Sequence, residues 1–101
     1  MRMLAIVQMD TEAGNEAIRS GAMPKLMEQM RSDLKPEAAY FGPLDGLRTM
    51  FLVFDLDDPS RIPPLTEPFF GTLKATVRMI PLMNGDDVQA GLAAIGDAGR
   101  R

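Results

Sequence analysis

The sequence predicts an α+β fold: four strands in one antiparallel sheet, two helices crossing between them, and one more helix at the end. Three observations carry this prediction. Four short apolar runs rich in β-branched and aromatic residues are set off by turn residues. Apolar side chains at helical spacing follow the first and third of those runs. A chain of 101 residues is also about two thirds of a typical domain, so a single domain over residues 1–101 is expected.

Residues 3–9 form a nearly unbroken apolar run containing Ile6 and Val7, bounded by the polar cluster 10–15, and read as the first strand. Residues 15–20 read as a short helical turn closed by Gly21, with Pro24 suited to the first turn of a second helix. Met23, Met27, Met30 and Leu34 make one stripe of that helix, and Lys35-Pro36 stops it. Residues 38–44 are a second strand whose Gly42-Pro43 points to a sheet edge. Asp45-Gly46 supplies a hairpin turn, since glycine accepts the positive φ such a turn needs. Residues 49–56, reading Thr-Met-Phe-Leu-Val-Phe-Asp-Leu, are the clearest strand.

Asp57-Asp58-Pro59-Ser60 turns the chain, and Pro63, Pro64 and Pro68 rule against a long helix beyond it. The prediction here is a short helix capped by Thr66 and beginning at Glu67-Pro68, its buried side formed by Leu65, Phe69, Phe70 and Leu73. Residues 75–83 are the fourth strand, with Pro81 arguing for an edge or a bulge. Asn84 caps a last helix with Asp86 and Asp87 in its first turn and Val88, Leu92 and Ile95 as its stripe. Gly96, Gly99 and Arg100-Arg101 mark a fraying end. The order is the ferredoxin-like plan, with the first and third strands expected side by side and parallel at the sheet centre.

Composition narrows the function. Hydrophobic residues are 46% and charged ones 25%, the balance of an ordinary folded protein. A net charge of −3 lacks the basic excess that phosphate backbones require, so nucleic acid is not an expected partner. With no Cys and no His there are no disulfides, no thiolate nucleophiles and no imidazole bases. The common zinc, copper and haem ligand sets are missing too, and no metal or cofactor is implied. The apolar start resembles a signal peptide only superficially: it is short, Asp10 and Glu12 follow at once, and no small-residue cleavage site is near. A cytoplasmic protein without a membrane segment is expected.

The strands are apolar on both alternating faces. Ala5 and Val7 oppose Leu4 and Ile6, Phe51 and Val53 oppose Met50, Leu52 and Phe54, and Val77 and Met79 oppose Ile80 and Leu82. One helix layer covers one face only, and the last helix could cover part of the second, but its three-residue stripe is small beside a four-stranded sheet. A second copy of the sheet is the expected cover, which makes the chain a homodimer.

At this point the sequence resembles the dimeric alpha-beta barrel superfamily, over residues 2–95. Within it, the chain is similar to small uncharacterised bacterial proteins of the GYD-domain kind. The likeness lies in Pro36-Glu37-Ala38-Ala39-Tyr40-Phe41, Asp45-Gly46-Leu47-Arg48 and Glu67-Pro68-Phe69-Phe70. The resemblance implies two ferredoxin-like protomers packed sheet to sheet, with a cavity between strands and helices. It attaches no reaction. The haem-binding branches need an axial histidine and the YCII-like branch a His-Asp pair, neither of which this chain can supply. The cofactor-independent monooxygenases often use Trp, Asn and Tyr, and here there is no Trp and one Tyr.

Four residues are candidates for ligand binding: Tyr40, Arg48, Glu67 and Arg78. Tyr40, the only phenol, either donates a hydrogen bond to a ligand or sits at a rim with its hydroxyl in water. Arg48 opens the third strand. Arg78, inside the fourth, pairs with a carboxylate such as Glu67, reaches an anionic ligand, or points out at an edge. Glu67 is either a desolvated base beside Phe69 and Phe70 or a carboxylate favoured by a helix start. The Asp55, Asp57, Asp58 cluster matches no calcium-loop spacing and reads as turn and cap chemistry. No residue is assigned a catalytic role.

The function expected is a homodimer binding a small, partly apolar ligand without catalysis, between Tyr40, Arg78 and a methionine-rich wall, with an anionic ligand as one option. Thioethers suit such a wall because they adapt to irregular shapes. A cofactor-independent monooxygenase or isomerase is the alternative, and a structural or accessory subunit of a larger complex is a third.

Overall fold

The computed structural model describes residues 1–99. Its elements are β1 (Arg2–Gln8), α1 (Thr11–Ser20), α2 (Ala22–Leu34), β2 (Ala38–Leu44), β3 (Leu47–Asp55), a 3-10 turn (Pro59–Arg61), α3 (Ile62–Leu73), β4 (Thr76–Pro81) and α4 (Gly85–Gly99). The fraying end expected at Arg100-Arg101 lies outside the described residues.

The four strands form one sheet in the order β2-β3-β1-β4, the ferredoxin-like arrangement. Every neighbouring pair is antiparallel. This corrects the expectation that β1 and β3 run parallel. The crossover through α1 and α2 returns β2 in the direction of β1 but leaves one strand's width between them. The hairpin at Asp45-Gly46, with φ of 55° and 76°, then sends β3 back through that slot. Both proline-bearing strands, β2 and β4, are edge strands, where a missing amide donor is harmless.

Alternation along the strands divides their side chains between two faces. Met3, Ala5, Val7, Met50, Leu52 and Phe54 point at the helices and are buried. Leu26, Met30 and Leu34 of α2 and Leu65, Phe69 and Leu73 of α3 close over them. Met23 and Met27, placed on the stripe by their spacing, pack only at its margin.

Two helices differ from their sequence reading. The carboxylate of Asp10 accepts from the Ala13 amide at 2.9 Å, so α1 begins at Thr11 rather than Asn15. Helix α3 begins at Ile62 and runs twelve residues, so Pro63 and Pro64 fall in its first turn, where no amide donor is required. Pro68 lies inside the helix and leaves the Pro64 carbonyl without its i+4 donor, a cost the buried Leu65, Phe69 and Leu73 outweigh. Thr66 therefore caps nothing: it is buried, and its Oγ1 donates to the Ile62 carbonyl at 2.8 Å. Phe70, assigned above to the buried side, is exposed.

Asn84 and Asp87 cap α4 reciprocally, each side chain accepting the other's amide at 2.8 and 3.1 Å. The helix then leaves the body: every described side chain from 85 to 96 is exposed, and the molecule measures 61 × 28 × 19 Å. The second sheet face thus has no cover among the described residues. Leu4, Ile6, Phe51 and Val53 are half-buried there, with Tyr40 and Ile80 exposed beside them.

Candidate functional site

At the end of the sheet where β1 finishes, a cleft of about 440 Å³ opens between β2, β3 and the first two helices. Three hydrogen bonds fix this end. The Met9 amide donates to the Arg48 carbonyl at 3.0 Å and the Asp10 amide to the Leu73 carbonyl at 3.1 Å. Gln8 Nε2 donates to the Leu44 carbonyl at 2.7 Å. The walls are apolar: Met9, Met23, Met27 and Met50 supply thioethers, while Ile18 and Phe41 stand more exposed. Four of the nine methionines line this cleft, and Met3 and Met30 belong to the core instead.

Among the described residues, Arg48 is the one charged residue lining the cleft. Its Nη2 donates to Asn15 Oδ1 at 2.9 Å and its Nη1 makes a longer contact, 3.5 Å, to the Thr11 carbonyl. Both acceptors are neutral. Among the described residues no carboxylate lies within ion-pair distance of this guanidinium. The arginine crosses α1 at Gly14, where a Cβ would stand 2.9 Å from Nη1 and 3.0 Å from Met9 Sδ. The bare backbone of Gly14 lets the side chain lie flat against the helix.

The other candidates lie elsewhere. Tyr40 and Arg78 are on the open face of the sheet, Tyr40 opposite Phe51 and Arg78 opposite Ile6. They sit on opposite edge strands, three strand spacings or roughly 14 Å apart. Both are exposed, so Arg78 needs no partner to offset burial. It forms no ion pair with Glu67, because the sheet separates the helix layer from the open face. Glu67 is exposed in the middle of α3, which removes the helix-start explanation. The structure therefore joins Arg48 to the methionine wall and leaves Tyr40, Glu67 and Arg78 apart from it within one chain.

The acidic cluster is accounted for by local structure. Asp57 pairs with Arg61 at 2.6 Å, Asp58 accepts from the Ser60 amide and hydroxyl, and Asp55 pairs with the terminal ammonium. Among the described residues, no group of His, Cys, Asp and Glu side chains is arranged to hold a metal ion. No described helix is long and apolar enough to cross a membrane.

Asn15 and Gly14 are the site residues that the sequence reading passed over. The signal for them was Asp10: as an N-cap it starts α1 at Thr11, which brings Gly14 into the helix and puts Asn15 in its second turn. Comparison with known proteins yields no match to a family model, a curated protein or a solved structure.

Proposed function

We propose that this chain is a cytoplasmic homodimer of the dimeric alpha-beta barrel type, akin to the bacterial GYD-domain proteins, that binds a small ligand without transforming it. The ligand has an apolar body and one negative group, and it occupies the cleft beside Arg48. The observation that carries this reading is the unneutralised Arg48 guanidinium, oriented by Asn15 at the side of an otherwise apolar cleft. Charge-assisted hydrogen bonds from an arginine suit a carboxylate or sulfonate, while methionines accept varied apolar shapes. The absence of Cys and His leaves the site without a thiolate or an imidazole, which favours binding over chemistry.

The test uses 8-anilinonaphthalene-1-sulfonate, an apolar body with one sulfonate, as a fluorescent probe. Saturable binding to the folded protein is expected, with competition by decanoate and not by decanol. Arg48→Met should weaken the dye about tenfold or more, the loss of one charge-assisted contact. Equal affinity for Arg48→Met and the unaltered chain, or equal competition by the alcohol, would contradict an anion site at Arg48.

A further inference from the structure

We infer that α4 is an arm that reaches a second copy of this chain and packs its Val88, Leu92 and Ile95 stripe against it; this rests on the homodimer proposed above. The stripe has no partner among the described residues: Leu92 is 61% and Ile95 68% exposed on a helix that stands off the body. A reciprocal cap at Asn84 and Asp87 gives this helix a defined start despite the missing contacts.

Area is the first reason to place a second copy beneath it. Four strands about 4.8 Å apart and about seven residues long present a face of roughly 19 by 23 Å in projection, at the small end of what an interface burying about 800 Å² of accessible surface per partner occupies. Two arms, one from each subunit, extend the contact beyond the sheet. Continuity is the second reason. Ile80 at the edge of the open face, Met83 in the connection and the stripe of α4 are successive exposed apolar side chains leading off the sheet. Charge is the third. Residues 85–99 contain Asp86, Asp87 and Asp97 and no Lys or Arg, and Arg100-Arg101 follow them in the sequence. On the open face Arg78 is exposed and pairs with no carboxylate among the described residues. An acidic helix is also poorly suited to an anionic lipid surface, which favours basic polar faces.

Sedimentation equilibrium of the full chain tests the arm. The unaltered protein is expected to be a dimer. Leu92→Asp with Ile95→Asp should raise the dissociation constant at least about a hundredfold. Leu92→Gln with Ile95→Gln should raise it by a smaller factor, and Ala90→Asp, on the opposite side of the helix, should leave it unchanged. Far-UV circular dichroism checks that the helix persists in each. A dimer whose dissociation constant is the same in both stripe variants overturns the arm and leaves the dimer standing. An unaltered chain that is monomeric overturns both. Stripe-dependent binding to phosphatidylcholine vesicles would assign the helix to a membrane and overturn the proposal as well.

Discussion

Gly14 and Arg48 belong to distant parts of the chain, yet one permits the position of the other. A methyl group at residue 14 would meet the guanidinium at 2.9 Å and Met9 Sδ at 3.0 Å, and these flexible side-chain ends rather than the helix backbone would give way. Gly14→Ala is therefore predicted to keep or raise thermal stability, since alanine favours a helix interior over glycine by about 1 kcal/mol. The same change should weaken binding of the anionic dye by displacing Arg48 from Asn15. Parallel melting and fluorescence titrations check the pair of outcomes, and a variant with undiminished dye affinity would contradict the role given to Gly14. The sequence made Arg48 and the methionines visible as residue types with a chemistry. It did not show them together, because their meeting depends on where α1 begins, and Asp10 was read as a boundary rather than a cap. Tyr40 and Arg78 were singled out for chemical character alone, while the strand period, counted from the register, sends them to the other face.

At the level of elements, the entry to α3 is held by charged groups at the surface. The Arg61 guanidinium donates to Asp57 and holds its carboxyl below the usual value, helped by its own backbone amide. The amide and then the hydroxyl of Ser60 do the same for Asp58. Arg61 also donates to the Asp33 carbonyl at 2.8 Å, tying the start of α3 to the end of α2. Both aspartates have folded pKa values below their unfolded ones. Their stabilisation is thus fully present above the unfolded value of about 3.9 and is lost as pH falls through the lower folded values. Carboxyl titration by nuclear magnetic resonance is predicted to give Asp57 and Asp58 midpoints below those of an unstructured peptide, and Asp58→Asn should flatten the acid limb of stability against pH. Midpoints at peptide values would remove that contribution. Among the elements, the four strands and the cap of α4 were legible because each rests on a local signal: β-branched runs, a turn glycine, an Asn-Asp pair. The third helix was not. Counting its prolines as breakers missed that two lie where amides are free, and that burial of Leu65, Phe69 and Leu73 outweighs the bond lost at Pro68.

For the whole molecule, apolar surface is divided unequally between the two faces of the sheet. One face of the sheet is closed by α1, α2 and α3, and the helix that might have covered the other stands away from it. This was legible in strands apolar on both alternating positions, though the direction taken by α4 was not, since a three-residue stripe fits a docked helix and a free one alike. Isolated, the chain would present Leu4, Ile6, Phe51 and Val53 to water along with the stripe of α4, an apolar patch of the kind that marks an interaction surface. The most direct measurement is the sedimenting mass of the unaltered chain at low micromolar concentration. Pairing through the open face predicts twice the chain mass of 11.1 kDa, falling to the single mass in Val53→Asp, whose carboxylate would be buried at the centre of the contact. A single-chain mass for the unaltered protein, or a dimer indifferent to Val53→Asp, would contradict it.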